Sequence, residues 1–400
     1  MFALPPLRML PLVLLAGACT QHTTRLAAEG SGDLSNPPAP RRAPDAALVA
    51  SCGSGSLLGP RLDRRPYLQR VGERSARVLF TASGPDPIEV ELRRPDGSWV
   101  ASAVAPPGAA GEPWSAAFDQ LDPGQIYCYS LGGVTAAAGF RTAPEQGKVS
   151  FLAFGDSGNG GSNQRAVYAQ MQTVPFDFVL HLGDLAYETG TAKELESRYF
   201  DVYHPTSRSF AVFPVIGNHD DAADDAAAYL RAFDLWDNGV PSERERYYAF
   251  DWGDVHVVAL DTERITAEQA AFLDQDLANN DRPWVVVMAH RPPYSSGEHG
   301  GLPAFRTTFG PILKKHRVPL VLSGHEHDYE RTVNLDGTVY VVSGGGGRDT
   351  RPVGSSPFTA YAESVLHFLF VEVQGDRLTV HAIDGVGREF DSVAIERPLH

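Results

Sequence analysis

The chain of 400 residues is 43% hydrophobic and 21% charged, which excludes a largely disordered polypeptide and leaves room for two domains. Its net charge of -15 argues against nucleic acid or an acidic lipid surface as the main partner, since both need basic patches. A small phosphorylated molecule stays within reach if bound cations supply local positive charge.

Taken in chain order, residues 1–19 read as an export signal. Arg8 is the only charge, and Met9 to Ala18 is an apolar run too short to span a bilayer. The stretch Leu14-Leu-Ala-Gly-Ala-Cys19 is similar to a lipobox, with Ala16 where Leu is usual. It predicts a lipid anchor on Cys19, holding an exported protein to a bacterial membrane on its periplasmic or cell-surface face. A plain secretory signal with an incidental cysteine is the alternative. Only Cys52 and Cys128 then remain, open either to a disulfide or to one buried and one loop thiol.

Residues 20–58, rich in Ala, Pro, Gly and Ser without an apolar period, predict a flexible tether. From 59 to 145 the texture changes to short alternating runs such as Ala76–Thr81, Ile88–Leu92, Ser98–Val100 and Gln125–Leu131. Turn signals at Pro95-Asp-Gly97 and Asp122-Pro-Gly124 separate them, and the pattern predicts an all-β sandwich. From 148 to 400 apolar strands alternate with amphipathic helices, which predicts an α/β layered domain. The strands are Val149–Phe154, Phe178–Leu180, Ala211–Ile216, Val255–Leu260, Trp284–Met288, Val318–Leu322 and Val339–Val342. The helices are Gln164–Gln172, Glu194–Tyr203, Ala267–Ala278 and Ala304–His316, and a hairpin follows around Gln374-Gly-Asp376.

Five of these strands end in polar residues behind a Gly or a small residue. The ends are Gly155-Asp156-Ser-Gly158, Gly183-Asp184-Leu-Ala-Tyr187, Gly217-Asn218-His219-Asp220, Ala289-His290 and Gly324-His325-Glu-His327. Alternate residues of an extended chain share a face, so His325 and His327 can address one centre. Carboxylate, amide and imidazole donors without a thiolate suit zinc, manganese or iron. Other motifs carry less. His181 reads as a core or supporting histidine, Gly344–Gly347 lets backbone pack close to the metal loops, and Glu330 and Arg331 pair with each other.

The order GDxG, GDxxY, GNHD, a lone His and GHxH resembles the metallophosphoesterase superfamily. Tyr187, three residues after Asp184, points to its purple acid phosphatase branch. Arg65-Pro-Tyr-Leu-Gln69 and Phe140-Arg-Thr-Ala-Pro144 look like the edges of that branch's fibronectin type III-like domain. The resemblance implies a four-layer αββα sandwich of two mixed sheets, and two metal ions, Fe(III) with a divalent Fe, Zn or Mn. One metal would be held by Asp156, Asp184, Tyr187 and His327, the other by Asp184, Asn218, His290 and His325. Asp184 would bridge them, as metals about 3.5–4 Å apart require. The implied reaction is hydrolysis of phosphomonoesters by a metal-held hydroxide, with His219 contacting the phosphate or the leaving group and His299 acting as the acid. The alternatives are a phosphodiesterase on the same metals, or a non-catalytic surface-binding lipoprotein.

Overall fold

The computed structural model describes Met1 and residues 46–53, 57, 59, 61–109, 111–132 and 137–397. All of these but Met1 lie in one compact unit, Arg41–His400. The expected signal, Cys19 and most of the expected tether lie outside the described residues. The end of the tether is corrected: Ala46–Cys52 is a short helix with Leu48 buried. Cys52 is disulfide-bonded to Cys128, 76 residues on, and that bond pins the helix.

The N-terminal strands form two antiparallel sheets. One runs Leu62–Gln69, Ala76–Ala82, Trp114–Phe118; the other runs Trp99–Ala105, Ile88–Arg93, Ile126–Leu131, Ala137–Arg141. Alternation explains their shared core: Val78, Phe80, Val90, Leu92, Ala116 and Tyr129 are buried every second residue along their strands. The sandwich is docked on the rest of the unit. Tyr67 donates its hydroxyl to the Ala232 carbonyl at 2.5 Å, Tyr129 to that of Arg208 at 2.7 Å, and Arg70 pairs with Asp234 at 2.7 Å. Burial pushes the Tyr67 phenol up to about 12, so at neutral pH it remains a donor.

The remaining strands build two larger mixed sheets. The first has six strands in the order Val212–Pro214, Phe178–His181, Val149–Phe154, His367–Gln374, Arg377–Asp384, Glu389–Glu396. The second has seven: Tyr248–Trp252, Val255–Leu260, Trp284–Ala289, Leu320–Ser323, Val339–Ser343, Tyr329–Thr332, Thr359–Glu363. In the second sheet the pleat sorts side chains into two cores. Val255, Val257, Val286, Met288 and Leu322 join the residues of the six-stranded sheet, whereas Val258, Leu260, Val287 and Val321 pack with Leu273, Phe305 and Leu313 of the covering helices. Met171 and Tyr203, from the helices Ser162–Met171 and Asp201–Ser207, lie against Leu152, Phe154 and Val179 on the outer side of the first sheet. Helix, sheet, sheet, helix is therefore the layer order.

Two expected helices are interrupted. Glu194–Tyr203 falls across a helix Ala192–Leu195, one π turn Glu196–Phe200, and the helix Asp201–Ser207. The stretch Ala304–His316 divides into Pro303–Thr308 and Gly310–Lys315, because Pro311 has no N–H to continue the first ladder. The hairpin at Gln374-Gly-Asp376 is present, with Gln374 opposite Arg377 and Gly375 at φ 58°. Tyr329–Thr332 is a strand that its apolar content did not announce. The pairing expected between Glu330 and Arg331 is absent: neighbours on a strand face opposite ways, so Arg331 meets Asp391 at 2.6 Å and Glu330 accepts from Ser296.

Candidate metal centre

Val149–Phe154, Phe178–His181 and Val212–Pro214 run parallel, so their C-terminal ends lie on one edge. In the other sheet Trp284–Ala289, Leu320–Ser323 and Val339–Ser343 are parallel as well. The first edge delivers Asp156, Asp184, Tyr187 and Asn218; the second delivers His290, His325 and His327. The two edges meet at these residues, since His290 Nε2 lies 3.1 Å from Asn218 Oδ1 and His327 Nε2 lies 3.6 Å from Asp156 Oδ1.

The side chains gather in two linked groups. In one, the Tyr187 hydroxyl donates to Asp156 Oδ1 at 3.1 Å and lies 3.2 Å from His327 Nε2. In the other, His290 Nε2 is 3.1 Å from Asn218 Oδ1 and 3.5 Å from Asp184 Oδ1. Asp184 joins them: it, Asp156 and His290 each offer a donor atom, and these atoms lie within 4.8 Å of one another. His325 is the least direct member. Its ring centroid is 5.1 Å from that of His290, while its Nε2 faces the Arg291 guanidinium at 2.9 Å.

Backbone geometry shows how tightly the centre is assembled. Asp156, Asp184 and His325 have φ of 58°, 55° and 72°, a left-handed conformation that costs a non-glycine residue about 1 kcal/mol or more. Gly217 is required for a different reason. A Cβ there would stand 2.2 Å from both the nitrogen and Oδ1 of Asp184. Gly344 likewise lets the loop after Val339–Ser343 lie against Glu326, where a Cβ would be 2.0 Å from the carbonyl oxygen. That glycine run and the residue after it also donate backbone bonds to the first site loop: Gly346 N–H to the Gly155 carbonyl and Arg348 N–H to that of Asp156.

Electrostatics supply the test of whether cations fit. Asp156 is 0% exposed and Asp184 1%. Burial, then the nearby Asp184 charge, drives the Asp156 carboxyl well above its ordinary range. Burial and the same two carboxylates raise the Tyr187 phenol well above its own. His327 is pushed down to about 4 by burial and then Arg351; burial, His290 and Arg291 lower His325 still further. Neutral imidazoles beside crowded, desolvated carboxylates are the donor set that a pair of positive ions would relieve. The residues present fit such a pair, with oxygen and nitrogen donors only. His290 is already oriented, its Nδ1 donating to the Leu182 carbonyl at 2.8 Å and leaving Nε2 to face the centre.

The two residues expected to act on substrate lie beside the centre, His219 against Asp184 and His299 against His325. His219 donates its backbone N–H to Asp184 Oδ1 at 2.9 Å, and its Nδ1 to the Glu188 carbonyl at 2.6 Å. Its Nε2 lies 3.9 Å from Asp184 Oδ2. His299 is more exposed, at 43%, and its ring lies tilted against that of His325, 4.7 Å between centroids. Its N–H donates to Glu326 Oε1 at 2.6 Å, and its Nδ1 is 3.3 Å from Glu326 Oε2. His181 proves to be a buried supporting residue, its Nε2 2.8 Å from Ser157 Oγ.

Four further neighbours had no role assigned from the sequence. Asp220 accepts from Leu185 N–H at 2.9 Å and Gly217 N–H at 3.0 Å, tying two ligand loops together. Arg348 places its guanidinium 4.7 Å over the Tyr187 ring. Arg351 reaches His299 Nδ1 at 3.2 Å, and Arg291 is clamped by Glu263 at 2.8 Å. Asp220 had a local signal in the Asn218 motif, Arg291 directly follows His290, and Arg348 directly follows the glycine run; Arg351 alone reaches the site with no motif beside it.

Residues 149–329 match the calcineurin-like phosphoesterase family. The chain is 29% identical over 301 residues to the probable inactive purple acid phosphatase 24 of Arabidopsis thaliana, covering 59% of this chain. It spans about half the length of that relative, 49%. It is 26% identical over 313 residues to the tartrate-resistant acid phosphatase type 5 of Sus scrofa, covering 66% of this chain and 92% of that one. Among solved structures, the purple acid phosphatase PPD1 from yellow lupin (Lupinus luteus) seeds shares the fold, with a TM-score of 0.71 at 21% identity, over 83% of this chain and 74% of that chain.

Proposed function

We propose that this chain, which carries a calcineurin-like phosphoesterase domain and has purple acid phosphatases as relatives, is an exported metal-dependent phosphatase that hydrolyses phosphomonoesters. The observation that carries the reading is the position of Asp184, shared between the Asp156–Tyr187–His327 group and the Asn218–His290 group. Asp156, Asp184, Tyr187 and His327 would hold one ion, Fe(III) by its phenolate; Asp184, Asn218, His290 and His325 would hold a divalent Fe, Zn or Mn. When bound, the pair supplies Lewis acidity toward the phosphoryl group and lowers the pKa of water at the site.

The chain's own side chains do the rest. His219, with Nδ1 committed to Glu188, turns Nε2 toward the centre and can donate to a phosphoryl oxygen. Glu326 holds His299 by its backbone and Nδ1, leaving Nε2 to protonate the leaving alkoxide. Arg348, paired with Glu188 at 2.8 Å, and Arg351, 3.6 Å from Glu298, border the site and would turn toward an entering phosphate dianion in exchange for those exposed carboxylates. Export rests on the N-terminal signal and on the Cys52–Cys128 disulfide, a bond that persists in oxidising compartments. The lipid anchor on Cys19 belongs to the same proposal, and so does a fibronectin type III-like module over residues 59–145. Among the described residues no helix is long and apolar enough to cross a membrane.

Elemental analysis of the purified protein, beside its turnover of nitrophenyl phosphate and of bis-nitrophenyl phosphate, tests this. Two metals per chain and faster monoester turnover are expected. A strong diester preference would make the protein a phosphodiesterase. Absence of both metal and turnover would leave the non-catalytic reading, which the name of the Arabidopsis relative keeps in play.

A further inference from the structure

Arg246 is buried, at 3% exposed, and joins two segments that come from different sheets. Its Nη2 donates to the Asp225 carbonyl at 2.8 Å and to Asp225 Oδ1 at 2.6 Å. Its Nη1 donates to Asp261 Oδ2 at 2.9 Å and to Asp221 Oδ1 at 3.5 Å. Taking a guanidinium out of water is costly, so a buried one persists only where acceptors surround it. The fork is what spans the two segments; an ammonium, being a single point, cannot reach both.

Those segments are the ones that carry Asn218 and His290. Asp221 and Asp225 follow Asn218, and Asp224, Asp225 and Ala226 take φ of 50°, 59° and 60° in succession. Three left-handed residues in a row, none of them glycine, hold only where the surroundings over-determine them, and the two bonds on Asp225 do so. At the other end, Asp261 follows Val255–Leu260, the parallel neighbour of the strand Trp284–Ala289 that delivers His290. Gln269 fixes Asp261 twice, accepting its N–H at 2.9 Å and donating to its carbonyl at 3.0 Å. Thr262, the next residue, accepts the N–H of Arg291, which follows His290, at 2.9 Å. We propose that Arg246 is a positioning residue for the second ion, fixing Asn218 Oδ1 and His290 Nε2 at their 3.1 Å spacing across the two sheets. Its side chain bonds to none of Asp156, Tyr187 and His327, so the first ion should not depend on it. The inference rests on the proposed assignment of Asn218 and His290 to one ion.

The experiment equilibrates the zinc-loaded protein at graded free zinc, set by a chelator buffer, and counts zinc per chain, with Tm measured alongside. Wild type is expected to hold two ions. Arg246→Lys, which keeps the charge and gives up the fork, should release one ion at about 10–100-fold higher free zinc and the other unchanged. Asn218→Ala should weaken the same ion, and the double variant should lose less than the two single losses combined, because both act through one ligand. If Arg246→Lys fails to fold, Asp225→Asn, whose side chain is 51% exposed, is read in its stead with the same selective loss expected. Wild type that never holds two ions overturns the assignment and the inference with it. Wild type that holds two overturns the inference alone if Arg246→Lys is unchanged, loses both ions in parallel with a fall in Tm, or adds strictly to Asn218→Ala.

Discussion

His290 Nε2 lies 3.5 Å from Asp184 Oδ1, although the two residues come from different sheets. On the proposed reading, a carboxylate reached from both sheets would bridge two cations, its charge offsetting their repulsion. Asp184→Asn should therefore lose metal at both positions and reduce kcat by more than about a hundredfold, beyond what removal of a supporting residue costs. Metal content and turnover measured on one preparation check this. A variant keeping two metals would place the bridge elsewhere.

His299→Ala should leave both metals bound and lower kcat about 10²–10⁴-fold, the usual contribution of a positioned proton donor. The loss should be smaller for nitrophenyl phosphate, whose leaving group needs no proton, than for an alkyl phosphate. Equal losses on both substrates would assign His299 to phosphate binding.

Gly217→Ala puts a methyl 2.2 Å from Asp184 N and Oδ1. The φ there is an ordinary -97°, so the cost is collision and not backbone strain. About 1–3 kcal/mol of stability should be lost, with metal affinity falling alongside as Asp184 is displaced. Isothermal titration with zinc and thermal melts would show it; unchanged affinity would mean the loops have slack.

His256 lies between Asp251 at 2.7 Å and Asp276 at 2.6 Å and is 7% exposed. Burial alone would depress its pKa, yet the two carboxylates overcome that and raise it from 6.5 to about 9. A folded-state pKa above the unfolded one stabilises fully below pH 6.5 and fades as pH rises through 9. The stake is up to about 3 kcal/mol. Against wild type, His256→Gln should be clearly less stable at pH 6 and should approach it at pH 10, as read from denaturant midpoints. A gap that stays constant with pH would rule out the charged pair.

The Cys52–Cys128 bond closes a loop across 76 residues. Chain entropy makes it worth about 4 kcal/mol, and replacing both cysteines with serine should cost about 2–4 kcal/mol. Reduction should release the helix Ala46–Cys52, whose side chains bury little else than Leu48. Limited proteolysis of oxidised and reduced protein compares the two; identical cleavage would mean that packing alone retains the helix.

The sequence by itself determined the strand ends and the donors on them. Each of Asp156, Asp184, Asn218 and His325 follows a buried apolar run and a glycine, and both signals are local, set by the pleat and by the space a Cβ would need. The hairpin at Gly375 was legible for the same reason. What only the tertiary structure decided is everything fixed between segments. Arg331 found Asp391, 60 residues on, and Cys52 found Cys128; Arg291 turned onto His325, and Asp328 was left without a donor. Those outcomes depend on strand register and on which loops the packed sheets bring together. A charged residue carries no mark in the chain of the partner it will meet.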